Sequence, residues 1–135
     1  MALYPEGTPT TEGMVTERED AVGTSRSASE FETQNGVGII RLNRQDVLNS
    51  FNYPMAKEAH HALDACEKDE AIRAIVFTAN GRGFCAGQDL EEAMEEGAPS
   101  ISEIVDHTYS PLIKRIRNIE KPVICFHSFS SFCKT

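Results

Sequence analysis

The chain has 135 residues, a formal net charge of −8, and 40% hydrophobic and 25% charged side chains. That is enough for one small domain with a modest core, and the acidic balance argues against a general nucleic-acid or anionic-membrane partner. No window of about 18 apolar residues predicts a membrane span. No basic-then-apolar start predicts a signal peptide. The cysteines Cys66, Cys85, Cys125 and Cys133 lack zinc-type spacing, so the expectation is a reduced, cytoplasmic protein without a metal.

Residues 1–35 are dominated by Pro, Thr, Glu, Ser and Gly, with apolar residues scattered without period. This composition predicts a disordered, acidic leader. Order is expected from Gly36 onward. Val37-Gly38-Ile39-Ile40-Arg41-Leu42-Asn43 alternates like a strand, with Val37 and Ile39 on one face and Ile40 and Leu42 on the other. A turn follows from Arg44 to Phe51. Asn52 then caps a helix whose first turn accepts Pro54. Met55, Ala59, Ala62, Leu63 and Cys66 fall at helical spacing through Lys68. Ala71 to Thr78 predicts a second, buried strand, completing a strand–helix–strand unit.

The most informative stretch is Gly81-Arg82-Gly83-Phe84-Cys85-Ala86-Gly87-Gln88-Asp89-Leu90. It lies where a strand hands over to a run of helical composition, Leu90 to Glu96. Asp89 is a good N-cap with Glu92 three residues later, a variant of the capping box. Unpaired N–H groups at such a helix start attract negative charge. A phosphate loop requires a Gly-Lys-Ser/Thr ending, which is missing. The dinucleotide spacing fails because position 86 is Ala and Gly87 comes one residue late. Stabilisation of a carbonyl oxygen that becomes negative during reaction is the remaining job for this loop. Arg44, Lys57 and Arg82 are candidate local bases for an anionic small ligand.

Phe84-Cys85-Ala86-Gly87-Gln88-Asp89-Leu90 resembles the first oxyanion-loop motif of the crotonase (enoyl-CoA hydratase/isomerase) superfamily. With Gln after the glycine and the flanking Gly81-Arg82-Gly83, it looks most like the epoxyphenylacetyl-CoA isomerases of the phenylacetate pathway. Leu42-Asn43-Arg44-Gln45-Asp46-Val47-Leu48-Asn49-Ser50 is similar to a second family patch, with Gln45 where proline is usual. The resemblance implies an α/β fold, here the N-terminal portion of a crotonase-type ββα spiral core. It implies an acyl-CoA thioester substrate, with coenzyme A as part of that substrate and no other cofactor. The backbone N–H of Gln88 would hold the thioester oxygen. Ala86, Gly87, Gln88, Asp89, Leu90 and Asn49 would line the substrate and CoA groove, although Asn43 and Asn49 also suit simple turn bonds to the backbone. Full-length members assemble as trimers or pairs of trimers.

Ser100 and Glu103 form a capping box ahead of a long amphipathic helix. Ile101, Ile104, Val105, Thr108, Leu112, Ile113, Ile116 and Ile119 mark its apolar face, and Pro111 bends or restarts it. Tyr109 to Ile113 and Lys121 to Cys125 resemble the helix and third strand that precede the family's second oxyanion loop. Residues 126–135 match nothing in the family. The partial domain is therefore expected over residues 36–125, followed by an unrelated tail from a truncated or frameshifted reading frame. A second reading follows from this: an incomplete, catalytically inactive domain lacking the second oxyanion loop and the acid/base carboxylates. Other constellations are bland. His60 and His61 point about 100° apart on a helix and read as a surface pair, and Glu91, Glu92, Glu95 and Glu96 read as a solvated acidic face.

Overall fold

The computed structural model describes residues 17–19 and 25–127. A two-stranded antiparallel ribbon joins β1 (Glu17–Glu19) to β2 (Ser25–Ser27). The main sheet has four strands in the order β3 (Ser29–Gln34), β4 (Val37–Leu42), β5 (Ala74–Ala79) and β6 (Val123–Cys125). β3 runs antiparallel to β4, while β4–β5 and β5–β6 are parallel.

Order thus begins earlier than composition suggests, which corrects the expectation of a disordered segment through residue 35. β3 is an edge strand with five of its six residues exposed, so its polar sequence, Ser-Glu-Phe-Glu-Thr-Gln, reflects solvent on both sides rather than disorder. Its partner fixes it through a two-residue hairpin at Asn35 and Gly36, with φ of 51° and 79°. Two positive φ values in succession fit the tightest hairpin turns, for which Asn-Gly is the preferred pair. The rest of the expected leader, residues 1–16 and 20–24, lies outside the described residues, as does most of the expected tail, residues 128–135. Phe126 continues the β6 pairing, its N–H donating to Phe77 O at 2.8 Å.

Helix α1 (Tyr53–Lys68) crosses between the parallel strands β4 and β5. Asn52 Oδ1 accepts from Met55 N at 3.0 Å, the expected cap. The helix covers the face of β4 that carries Gly38, Ile40 and Leu42. Gly38 lies against Cys66 so closely that there is no room for a Cβ. Ile40, Met55, Ala59, Leu63, Cys66 and Ile75 are fully buried at this interface. On the opposite face, Ile39, Val76 and Ile124 stand in one cross-strand row, and Ile124 is 53% exposed.

After β5 come a short helix α2 (Leu90–Met94), helix α3 (Ile101–Ile104), a π-helical turn at Val105–Tyr109 and helix α4 (Ser110–Asn118). The Ser100–Glu103 capping box forms in full. Pro111 has no N–H, and the helix accommodates it with a wide turn in which Ser110 N donates to Val105 O, five residues back. Ile104, Thr108, Leu112 and Ile119 are buried as the periodicity requires, whereas Ile101 and Ile113 are 65% and 53% exposed. Arg115 of α4 pairs with Asp64 and Glu67 of α1, tying the two helices together. Among the described residues no helix is long and apolar enough to cross a membrane.

Candidate active site

The glycine-rich loop leaves β5 and runs beside the turn that leaves β4. Ala86 N donates to Leu48 O at 3.0 Å, Phe51 N to Gly87 O at 2.7 Å, and Asp89 N to Phe51 O at 2.9 Å. These bonds make a short parallel ladder with Gln88 opposite Phe51. The two family-like patches, whose bonded residues lie 36 to 38 positions apart in sequence, are thereby joined through their backbones.

This ladder determines where the Gln88 N–H points. Gly87 C=O and Gln88 N–H belong to one peptide plane, and in a trans peptide they are directed oppositely. The carbonyl is held by Phe51 N, so the Gln88 N–H faces away from Phe51. Among the described residues it donates to no other group. Gly87 sits at φ 123°, and a Cβ built there meets nothing within 4 Å. The glycine is thus required by backbone conformation, with open space beside it.

Beneath the loop lies a buried polar clamp. Arg44 Nη2 pairs with Asp89 Oδ2 at 2.8 Å, with the two side chains only 6% and 12% exposed. Arg44 Nη1 also donates to Ser50 O at 2.6 Å. Asn49, fully buried, accepts from Arg44 N at 2.7 Å and donates to Asn80 O and Gly83 O at 2.8 and 2.7 Å. Three segments are held by two side chains. Leu48 and Asn49 occupy the left-handed region at φ 52° and 55°, a conformation Asn tolerates better than Leu. Within Asp89, burial works to raise the carboxyl pKa, but the Arg44 hydrogen bond and the N–H groups of Glu92 and Glu91 prevail and hold it below its ordinary value.

The predicted groove residues therefore divide. Ala86 and Gly87 are exposed, Gln88 is half-buried, and Leu90 is 69% exposed. Asp89 and Asn49 instead turn their polar atoms into the protein. Arg44 does not set a field for an anionic ligand, as expected from its charge alone, because Asp89 neutralises it and both of its terminal nitrogens are engaged. The helix start is not an open anion site either: Asp89 Oδ1 accepts from Glu91 N at 3.0 Å and Glu92 N at 3.4 Å. The available donor precedes the cap. Nor is the capping box reciprocal, since Glu92 accepts from Tyr53 N at 3.0 and 3.1 Å instead.

Sequence reasoning passed over Tyr109 in this setting. Its O–H donates to Gln88 Oε1 at 2.6 Å, and its ring lies 5.0 Å from that of Phe51. Burial, with smaller contributions from Cys85 and Glu92, pushes its pKa up to about 12, so the phenol keeps its proton. A residue 21 positions from Gln88 reaches it only through the fold, and no local pattern announces the contact. The histidine pair also differs from expectation. His61 is buried at 3% exposure, and it lines a cleft together with Ser29, Phe31 and Glu58. Burial lowers its pKa, aided by Lys57 and opposed by Asp64. Among the described residues no group of three His, Cys, Asp or Glu side chains is placed to hold a metal ion.

Comparison with known proteins shows the family and the fold. A family model described as Enoyl-CoA hydratase/isomerase matches residues 32–127. The 1,2-epoxyphenylacetyl-CoA isomerase of Escherichia coli (strain K12) is 41% identical over 95 residues, covering 68% of this chain and 36% of that protein. The trans-2-decenoyl-[acyl-carrier-protein] isomerase of Streptococcus mutans is 31% identical over 99 residues, covering 70% and 37%. A solved Pseudomonas aeruginosa structure superposes with a TM-score of 0.65 at 33% identity, over 73% of this chain and 43% of the other. The chain spans little more than a third of the length of the curated relatives it matches, and its mixed sheet corresponds to the N-terminal portion of their fold. With its glycine loop, its ladder to Phe51 and this match, the chain belongs to the enoyl-CoA hydratase/isomerase family.

Proposed function

We propose that this chain binds an acyl-CoA thioester and supplies one oxyanion donor, the backbone N–H of Gln88. The observation that carries this is the orientation of the Gly87–Gln88 peptide. Its carbonyl is tethered, its N–H is unpaired among the described residues, and its flank is open. In this family reading, loss of a proton beside the thioester carbonyl places negative charge on the carbonyl oxygen. An N–H aimed at that oxygen binds the enolate more tightly than the ground state, and removing one such donor typically costs about 3 kcal/mol of barrier lowering. Ala86, Gly87 and Leu90 offer the exposed surface for the thioester and its acyl group. Asp89 and Asn49 support the loop from below. The phenylacetyl type of acyl group named in the E. coli relative is a first choice of ligand.

Two carboxylates beside the loop are engaged. Asp89 serves Arg44 and the α2 cap, and Glu92 serves the start of α1. We therefore propose that this chain alone binds acyl-CoA without turning it over. Assembly into trimers belongs to the same family reading and is read by sedimentation.

The test is calorimetric titration of the chain with a four-carbon trans-2-enoyl-CoA. Gln88→Ala keeps the N–H and weakens binding modestly, by about twofold. Gln88→Pro removes it and weakens binding by roughly fivefold or more, the value of one hydrogen bond. Equal effects of the two substitutions, with circular dichroism unchanged, would remove Gln88 from the site. Turnover by the purified chain would refute the binding-only reading.

A further inference from the structure

We propose that Tyr109 is the positioning residue of the Gln88 donor: its phenol O–H holds the Gln88 side chain and so steadies the peptide whose N–H the Phe51 ladder aims. This deepens the oxyanion reading and rests on it. The loop has two backbone tethers to Phe51, one on each side of Gln88. They aim the two peptides that flank Gln88 but leave its side chain unheld, and the preceding glycine, in open space, adds no packing against rocking of the loop. The third tether is the 2.6 Å bond from Tyr109 to Gln88 Oε1.

The geometry is consistent from both ends of the amide. Gln88 Nε2 faces Asp89 O and Glu92 Oε1, each at 3.5 Å. Reversing the amide would set its oxygen against those two acceptors and its nitrogen against the phenol proton, so the network selects one orientation. The tyrosine is itself held. Its ring packs on Phe51, the residue that anchors the loop backbone. It also closes the π-helical turn Val105–Tyr109, and such turns frequently mark functional positions. One aromatic pair therefore grips the loop twice, through the Phe51 backbone and through the Gln88 side chain. Helix α4 follows directly, so loop and helix are registered to each other.

The test is amide hydrogen exchange on the whole chain, read residue by residue by NMR. Tyr109→Phe keeps the ring contact and removes only the O–H. We expect protection of the Phe51 and Asp89 amides to fall roughly fivefold, the worth of one hydrogen bond. The Gln88 side-chain NH2 signals should move toward free-amide positions. The Ile75 and Arg73 amides, which bond to Pro122 O and Gly36 O, should not change. In a Gln88→Ala background, Tyr109→Phe should have no further effect on the loop. Unchanged loop protection in Tyr109→Phe, or an equal loss in the Gln88→Ala background, overturns the assignment. A purely structural role for Tyr109 would move the control amides as well. The exchange comparison needs no ligand, so a failure of acyl-CoA binding would be seen separately.

Discussion

Asp89→Asn removes one charge from the clamp under the loop while keeping an acceptor for the α2 cap. The Asn amide nitrogen then faces the Arg44 guanidinium, donor against donor. Arg44 is 6% exposed and its Nε has no partner among the described residues, so its charge depends on Asp89 and on Ser50 O. Breaking a buried pair by removing one partner costs about 3–5 kcal/mol. The lower end applies here, because Asp89 keeps a 12% exposed edge and Ser50 O remains bonded. A loss of about 3 kcal/mol moves a urea midpoint by about 2 M for a chain of this size. Arg44→Met in the Asp89→Asn background removes the stranded charge and should recover about 2 kcal/mol, since a buried pair replaced as a unit is often nearly neutral. The pH dependence has a definite sign. Asp89 is held below its ordinary pKa when folded, so its contribution is complete above the unfolded carboxylate value of about 3.9 and is lost as pH falls through the depressed folded value. The gap between wild type and Asp89→Asn should therefore be full at pH 7 and shrink below about pH 4. Urea unfolding followed by circular dichroism at both pH values measures this. If a single variant does not fold, refolding of the double variant gives the same answer. Strict additivity of the two substitutions, or an undiminished gap in acid, would refute the reasoning.

Two further outcomes follow from packing. Gly38→Ala places a methyl group against Cys66 Sγ and should cost about 1–3 kcal/mol by overpacking; Gly38→Ala with Cys66→Ala should restore most of it, and a silent Gly38→Ala would mean that the β4–α1 contact is looser than described. Burial pushes the Cys66 thiol up to about 11, whereas Cys85 and Cys125 are exposed; mass-mapped alkylation at pH 8 should label Cys85 and Cys125 in the native chain and Cys66 only after unfolding, and prompt labelling of Cys66 would contradict its placement.

The elements with strong local signals were legible in the sequence. Apolar spacing from Met55 to Cys66 defined α1, Asn52 announced its start, and Ser100 with Glu103 announced α3. These depend on neighbouring residues, and neighbours in sequence remain neighbours in a helix. The glycine motif likewise marked the loop and directed attention to Gln88. β3 was missed because an exposed edge strand carries no apolar alternation; only the Asn35-Gly36 pair pointed to it.

What the tertiary structure alone decided is which polar groups stay available. The sequence offered Arg44 as a local base for an anionic ligand and His61 as a surface group, and the family resemblance put Asp89 and Asn49 in the groove. Arg44, Asp89 and Asn49 turn inward because another segment arrives against them: Asp89 meets Arg44 across 45 residues of chain and Asn49 meets Gly83 across 34, just as Tyr109 meets Gln88 across 21. Such contacts leave no period in the sequence. The outward N–H of Gln88 is of the same kind, because its direction is set by a peptide plane pinned from the far side by Phe51.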